Sequence, residues 1–239
     1  MSTGIFNQYF NALPETLRKR WEPYTRYVDV DPRQTLHFDS ASANAYFPIN
    51  CIAAQFVKDV DGVHHLNRLN GRDTTVGLSV ELIMGRIHYE HCWIHAGAAI
   101  VMPREIIVQS VSAEGLKKGQ SEFLGYSANV VATRASCRAT HSLSERLSCV
   151  LLQLLDLGWS CRSDVMQLGL LERLTSVRRD ALLSVLGDWR RQGILGESDA
   201  ILSENLGESL RRIVCDCYQK HKNIDAAMFE SWRTTNWMI

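Results

Sequence analysis

The chain has 239 residues, of which 46% are hydrophobic, and it carries 26 Lys and Arg side chains against 26 Asp and Glu. A hydrophobic fraction of this size supports a packed core and excludes wholesale disorder. The length fits one large domain or two small ones. A net charge of zero does not favour a general polyanion binder, since such proteins are usually strongly basic.

Targeting signals are not evident in the sequence. The N-terminal stretch MSTGIFNQYF has no basic segment followed by an apolar run, so we expect no signal peptide. No window approaches the roughly 18 consecutive apolar residues of a membrane span. The seven cysteines are scattered without a C-x-x-C pair, which favours reduced thiols over a disulfide framework. We therefore expect a soluble, cytoplasmic protein that does not bind membranes.

Short apolar or alternating runs follow one another between about residues 27 and 110. Turn signals such as Asp61-Gly62 and Asn70-Gly71 separate them. Many short strands spaced in this way predict a β-sandwich or a jelly-roll barrel. Before them, residues 5–22 predict a short helix or a helix pair around Pro14.

Residues 120–157 are predicted to be helical, with a break near His141. Ser142 and Glu145 after the break match the S-x-x-E capping box, whose side chains satisfy free backbone N–H groups at a helix start. Before the break, side chains at steps of four and three residues form a heptad-like seam, which packs either on its own domain or on the same helix of a second chain. The seam consists of Tyr126, Val130, Thr133, Cys137 and Thr140.

Residues 170–195 predict two helices around a tight turn. A short apolar stripe can end at Thr175 and Ser176, and a second stripe at helical spacing runs to Trp189 before Gly193. Between positions 173 and 191 there are five arginines and two aspartates. Helix–turn–helix proteins use charged groups at the start of the second helix to reach base edges in the major groove. An ordinary helical hairpin with a solvated charged face is the alternative.

Several motifs occur in an order that is typical of one family of bacterial regulators. The segments YFP at 46–48, DG at 61–62 and GRDTTVGL at 71–78 are similar to motifs of its cyclic-nucleotide-binding-like barrel. The segment ASCRATHSLSERL at 135–147 is similar to its hinge motif A-x-C-N-x-x-H-S-x-x-E-R-L, and CDCY at 215–218 to the C-E-C-Y of one subgroup. On these motifs the sequence resembles the Crp/Fnr family of transcription regulators over most of its length.

The resemblance implies an α+β fold. Residues 1–120 would form a β jelly-roll barrel with short N-terminal helices, 121–141 a long dimerisation helix, 142–218 a winged helix–turn–helix domain, and 219–239 a C-terminal tail. The heptad-like seam would be the dimer interface. The implied partners are a second copy of the chain, a palindromic double-stranded DNA site and RNA polymerase. No nucleophile–base–acid constellation is evident, so we expect no enzymatic activity.

The resemblance also implies which residues contact DNA. Arg179 and Asp180 match an R-E pair of the family's recognition helix, and Arg178 lies beside them. An arginine there can donate two hydrogen bonds to guanine, worth roughly 1–3 kcal/mol of base discrimination. We expect Arg179 to read a base with Asp180 as its partner, Arg178 to contact phosphate, and Ser184 and Arg173 to contribute further contacts.

Departures from the family pattern weaken the expectation that this half of the chain binds DNA. Ser176 stands where the turn usually has glycine, so a left-handed backbone there would carry strain. The tripeptide QLG at 167–169 replaces a polar T-Q-E, Ser184 replaces a second arginine, and the wing at 195–201 is short and acidic. The alternative function is therefore a degenerate relative that acts as a protein-interaction module, with the aromatic tail as a docking element.

The effector-pocket candidates are Gly71, Arg72, Asp73 and Gly77. Asp73 holds the family's acidic position, but residues 80–89 lack the Arg-Ser pair that grips a cyclic phosphate, so we expect no binding of cyclic AMP. The two glycines fit turns of the barrel better than ligand contacts. The sequence names neither an effector nor a cofactor.

Two groups of residues have metal-ligand chemistry, and we assign a metal to neither. The first group is His88, His91, Cys92 and His95. Strand alternation splits it between two faces, which favours structural roles, with haem or gas sensing by a pair left open. For the second group, Cys215 and Cys217, motif similarity explains the spacing better than metal geometry does, and a thiol sensor is the alternative.

Overall fold

The structure is a computed structural model that describes residues 7–32, 35–36, 44–78, 89–159, 168–196 and 206–237. Two short helices, α1 (Gln8–Asn11) and α2 (Glu15–Trp21), precede a 3-10 turn at Glu22–Tyr24. The strands are β1 (Arg26–Val30), β2 (Thr35–Leu36), β3 (Asn44–Pro48), β4 (Ile52–Lys58), β5 (His64–Asn70), β6 (Tyr89–His95) and β7 (Gly97–Pro103). The later helices are α3 (Arg104–Ser110), α4 (Ala113–Thr140), α5 (Leu143–Asp156), α6 (Leu168–Thr175), α7 (Arg179–Arg191), α8 (Leu206–Arg211) and α9 (Cys217–Thr234).

The strands, which together we call the β domain, form two antiparallel sheets. One has the order β1-β7-β3 and the other β2-β6-β4-β5. The prediction that the first half of the chain is rich in β-strands is therefore confirmed. Over the described ranges the strands do not close into one continuous barrel, because each sheet keeps its own edges.

The four-stranded sheet is covered on both faces. Successive side chains of a strand point to opposite faces, and β4 is buried at five consecutive positions from its start. Ile52, Ala54 and Phe56 pack with α5 and α6, whereas Ala53 packs with Trp93 in a cluster that reaches the other sheet. Helices α5 and α6 therefore rest directly on the β domain.

The long helix α4 has 28 residues and ends at a defined hinge. His141 is its C-cap, and α5 begins after Ser142. The Ser142 backbone N–H donates to Glu145 Oε2 at 2.9 Å, and the Glu145 N–H donates to Ser142 Oγ at 3.3 Å. The predicted helix break and capping box are confirmed.

Helix α9 packs along α4 and closes a second core. Met228 and Trp232 of α9 lie in one cluster with Tyr126 and Val130 of α4. The Tyr126 hydroxyl donates to Asp225 Oδ1 at 2.7 Å, which fixes the two helices in register. The predicted tail at 219–239 is thus, as far as residue 237, part of the folded body. None of the described helices combines the length and apolar character needed to cross a membrane.

The core between α5 and the sheet generates a stability prediction. Leu151 is fully buried there, so Leu151→Ala should lower the free energy of unfolding by about 2–5 kcal/mol through lost burial and a residual cavity. The matched control is Leu183→Ala, which truncates an exposed leucine of α7. It should change the free energy of unfolding by less than about 0.5 kcal/mol. Urea unfolding followed by circular dichroism measures both, and equal effects would contradict the assigned core.

Candidate nucleic-acid interface

The turn between α6 and α7 has the left-handed backbone that its sequence predicted. Three residues connect the helices, and Ser176 has φ 55°, the one positive value among the described residues other than glycine. Such a conformation costs about 1–2 kcal/mol for a residue with a side chain. The Ser176 hydroxyl accepts from Arg138 at 3.3 Å and donates to the His64 carbonyl oxygen at 3.0 Å. These hydrogen bonds hold the turn against the β domain.

Helix α7 is amphipathic, and its buried face fixes which side is exposed. Leu182, Leu186 and Trp189 enter the core. The Trp189 indole N–H donates to Ser144 Oγ at 2.7 Å and so ties the helix to the start of α5. The opposite face, including Ser184, is exposed to solvent.

The first turn of α7 presents two arginines to solvent. Arg178 is the N-cap residue, and its Nη2 atom lies 3.1 Å from Asp180 Oδ2, with the two side chains 87% and 68% exposed. Asp180 thus pairs with Arg178 and not, as expected, with Arg179. The extended backbone of Arg178 lets its side chain fold over the first turn. The Arg179 guanidinium forms no ion pair with the residues that the structure describes, and Arg179 is exposed.

The last turn of α7 carries a second exposed pair, Arg190 and Arg191. Arg191 hydrogen-bonds to Asp188 three residues earlier. Cations at a helix C-terminus interact favourably with the helix dipole, which is a sufficient structural reason for this pair.

Arg173, which we expected to contact DNA, instead docks α6 on the β domain. Its Nη2 atom donates to Glu90 Oε1 at 3.0 Å, and its guanidinium lies 4.8 Å from the centroid of the Phe56 ring. The other Glu90 oxygen lies 2.7 Å from His64 Nε2. Because these partners belong to β4, β5 and β6, Arg173 faces the sheet and not the surface formed by Arg178 and Arg179.

The effector-pocket candidates fall into two roles. A Cβ atom on Gly71 would come within 2.7 Å of Leu157 Cδ2, so this glycine allows close approach of the end of α5. Gly77 has φ 79° and occupies a turn. Arg72 and Asp73, by contrast, line a cleft of about 490 Å³ between this loop and α9, whose other wall includes Lys222.

The Asp73 carboxyl group lies in an unfavourable part of that cleft. Its Oδ1 atom is buried and has no hydrogen-bond partner among the described residues. Burial, together with the charge of Asp225, raises the pKa of Asp73 to about 6, although Arg68 and Arg72 oppose the shift. The carboxyl group is therefore held in an environment that disfavours its charge.

The strand histidines do not converge with Cys92. His91 is buried and lies 2.9 Å from Gln55 Nε2, and burial lowers its pKa to about 3. Cys92 belongs to the core that faces the helices. Burial also lowers the pKa of His95, which is partly exposed. His91 and Cys92 thus lie on opposite faces of β6, as strand alternation predicts, while His88 lies outside the described residues.

Three further sequence features also lie outside the described residues. They are Gln167 of the altered T-Q-E tripeptide, positions 197–201 of the acidic wing, and positions 80–88 of the segment that lacks the Arg-Ser pair.

Most of the predicted dimer seam faces the chain's own interior. Tyr126, Val130 and Cys137 are buried inside the molecule, Thr133 is half-buried, and Thr140 is exposed. They point inward because α9 and β5 pack on that side of α4. The exposed stripe comprises Leu124, Ala128, Val131 and Ala135. Each of these residues comes two positions before a member of the seam, so the stripe lies on the opposite side of the helix.

The structure also assembles a group that the sequence analysis did not connect. Cys137 and His141 at the end of α4 meet Cys215 and Cys217 at the start of α9, with all four ligand atoms within 4.8 Å of one another. Hydrogen bonds, first of all with Cys149, lower the pKa of the Cys215 thiol. The signal that could have found this group is a C-x-x-x-H pair combined with the C-x-C pair.

Comparison with known proteins gives structural matches only. No family model matches the chain, and no curated protein matches its sequence. A CRP/FNR-family transcriptional regulator from Thermus thermophilus has a TM-score of 0.59 at 16% identity, covering 79% of this chain and 97% of that one. A CRP-family regulator from the same organism gives 0.56 at 17%, with 77% and 96% covered. The c-di-GMP-responsive global regulator CLP of Xanthomonas campestris gives 0.55 at 13%, with 77% and 96% covered.

These matches extend over almost the entire length of each solved protein. The chain therefore shares the fold of the Crp/Fnr regulators, an α+β arrangement of a β domain followed by helices.

The docking role of Arg173 can be measured by a double-mutant cycle. Arg173→Ala and Glu90→Ala should each destabilise the chain modestly, with a coupling energy of about 0.5–1 kcal/mol, because both side chains are partly exposed to solvent. Urea unfolding of the four proteins gives the coupling. The exposed Arg233–Glu230 pair of α9 is the matched control for loss of charge. Strict additivity of the Arg173 and Glu90 effects would contradict the contact.

The environment of Asp73 predicts a dependence of stability on pH. The pKa of Asp73 is about 6 in the folded state, against its usual value of 3.8 in an unfolded chain. The fold therefore loses stability as the pH rises from 3.8 through about 6, because the unfolded state releases this proton first. Asp73→Asn removes this ionisation, so the variant should gain about 2–3 kcal/mol over the wild type between pH 4 and pH 7, at 1.36 kcal/mol per pKa unit. Urea unfolding across this range measures the difference, and a constant difference would contradict the assignment.

Proposed function

We propose that the chain is a divergent Crp/Fnr-family transcription regulator that binds DNA as a homodimer. The single observation that carries the proposal is the exposed first turn of α7, where Arg178 and Arg179 follow a tight helix–helix turn. The shared fold supports it, since solved proteins with this fold are described as transcriptional regulators. In this proposal the β domain is the jelly-roll sensor, and α6 and α7 are the helix–turn–helix of a winged domain.

DNA recognition would use the exposed face of α7. A recognition helix enters the major groove with its N-terminal residues, which is the end that Arg178, Arg179 and Ser184 share. Arg179, lacking an ion pair among the described residues, is positioned to donate both hydrogen bonds to guanine without breaking an existing contact. Arg178 is the proposed phosphate contact because its side chain is 87% exposed at the N-cap, where phosphate can replace the exposed Asp180 as its partner. Arg173 is not part of this proposed surface.

The dimer would form through α4, but on its exposed stripe. Leu124 and Val131 are 38% and 48% exposed, and Ala128 and Ala135 between and after them let a second helix approach closely. Their steps of four, three and four residues match a coiled-coil seam. A two-fold dimer would place two α7 helices about 34 Å apart, the spacing of a palindromic site.

The proposed effector site is the cleft beside Arg72 and Asp73, and we propose that its ligand is not cyclic AMP. The cleft contains carboxylates from both walls, Asp73 from the loop and Asp225 from α9. With Asp156, three aspartates line the cleft against Arg72 and Lys222, and Lys222 Nζ already lies 3.4 Å from Asp156 Oδ2. An anionic phosphate there would meet an excess of negative charge, which disfavours binding. RNA polymerase is a further proposed partner, on the resemblance alone.

The DNA proposal is tested by selecting binding sites from random DNA and measuring affinity by gel shift. Arg179→Ala should cost about 1–3 kcal/mol on the selected site and relax specificity at one base pair of each half-site. Arg178→Ala should weaken specific and non-specific binding alike and reduce the salt dependence by about one phosphate's share.

The matched control is Arg233→Ala, which removes an exposed arginine of α9 that pairs with Glu230 in the same helix. It should leave DNA binding unchanged. Failure to enrich any sequence, with no effect of Arg178→Ala or Arg179→Ala, would contradict DNA reading and favour a protein-interaction module.

Two adjacent residues of α4 test the dimer proposal. Val131→Asp places a charge on the exposed stripe and should yield a folded monomer. Val130→Asp places it in the buried core and should instead lower the free energy of unfolding by several kcal/mol, because the carboxylate is buried without a partner. Analytical ultracentrifugation and circular dichroism separate these outcomes. A wild-type protein that sediments as a monomer at micromolar concentration would overturn dimerisation.

A further inference from the structure

We propose that Cys137, His141, Cys215 and Cys217 form a structural zinc site that clamps the hinge between α4 and α5 to the start of α9. These four residues are called the hinge cluster below. The site does not depend on DNA binding, although its consequence for the DNA-binding half rests on the proposed function.

The spacing of the ligand atoms matches tetrahedral zinc. In a tetrahedron with Zn–S distances of about 2.3 Å and Zn–N distances of about 2.0–2.1 Å, neighbouring ligand atoms lie about 3.5–3.8 Å apart. The Cys137 and Cys215 sulfurs are 3.6 Å apart, and Cys217 Sγ is 3.6 Å from His141 Nδ1. The remaining separations stay within 4.8 Å, so small side-chain shifts close the tetrahedron. A disulfide would need a sulfur separation of about 2.05 Å.

The local backbone explains why these atoms converge. Cys137 and His141 are four residues apart at the end of α4 and therefore lie on one face of the helix. Cys215 and Cys217 flank Asp216, the N-cap residue of α9, so both thiols lie at the start of that helix. Two ligands come from the end of α4 and two from the start of α9, and a bound ion would link these helix ends.

The surroundings favour a thiolate-bound cation. Three thiolates and one neutral imidazole around Zn²⁺ leave one net negative charge, which needs compensation in a buried site. The guanidinium groups of Arg134 and Arg138 interact electrostatically with Cys137 and supply it. Arg134 is in turn fixed by hydrogen bonds to the Asn67 carbonyl oxygen at 2.7 Å and to Gln153 Oε1 at 2.9 Å.

The ligand set indicates a structural rather than a catalytic ion. Catalytic zinc keeps a coordination position for water, whereas structural sites use four protein ligands, commonly Cys3His. Three of the four hinge-cluster residues are buried, and His141 is half-buried. Thiolate-rich tetrahedral sites select zinc or iron over magnesium and calcium. The ion would fix the angle at which α5, and with it the α6–α7 pair, leaves α4.

The test is the metal content of the full-length protein purified under reducing conditions without added metal. We expect inductively coupled plasma mass spectrometry to find about one zinc ion per chain. After exchange into Co²⁺, we expect the visible absorption of a tetrahedral thiolate complex. Cys217→Ser should lose most of the bound metal and the cobalt spectrum, whereas the control Cys51→Ser, a buried thiol of the β domain, should keep both.

A measurement on the wild type covers the case in which Cys217→Ser fails to fold. Removing the metal with a strong chelator should lower the melting temperature by several degrees, and added Zn²⁺ should restore it, because a ligand that binds only the folded state stabilises it. The proposal is overturned if the reduced protein contains no stoichiometric metal and gives no tetrahedral cobalt spectrum. It is also overturned if Cys137 and Cys215 are isolated as a disulfide, or if Cys217→Ser folds and keeps its metal.

Discussion

The packing of α5 and α6 on the outer face of the four-stranded sheet determines where every candidate site lies. The side chains of Ile52, Ala54 and Phe56 project from that face of the sheet. They share one core with Leu151 of α5 and Leu174 of α6. Because α6 is held there and Ser176 is hydrogen-bonded to β5, the exposed residues begin at Arg178, at the start of α7. The same packing removes Arg173 from that surface by engaging it with the sheet.

A buried polar chain accompanies this apolar contact and leads from the β domain to the hinge. His91 contacts Gln55, and the Asn67 side chain donates to Gln55 Oε1 at 2.7 Å. The Asn67 carbonyl oxygen then accepts from Arg134, which also reaches Gln153, and Gln153 donates to Cys149 Sγ at 3.1 Å beside the hinge cluster. Buried polar groups are costly unless satisfied, so such a chain favours one arrangement of the two halves.

Local features of the fold were predictable from the sequence, whereas contacts between distant segments were not. The capping box at Ser142 depends on residues within one turn, and its local pattern predicts it. The left-handed backbone at Ser176 follows from the resemblance, since the family usually has glycine at this position. Cys137 and Cys215 are 78 positions apart, and periodicity carries no information about such a pairing. The seam through Tyr126 predicts a helix face that packs, and the resemblance assigns that face to a dimer. Helix α9 covers it instead, and no local pattern reveals this packing. Arg173 was grouped with the other arginines by position alone, and only its contact with Glu90 distinguishes it.

The most direct test of the account is amide hydrogen exchange of the full chain with and without a duplex obtained by selection from random DNA. If the start of α7 reads DNA, new protection will concentrate there, from Arg178 to Ser184, with little change in the sheet beneath α6. Protection confined to the β domain or to α9, or none at any DNA concentration, would contradict the central claim that the exposed start of α7 reads DNA.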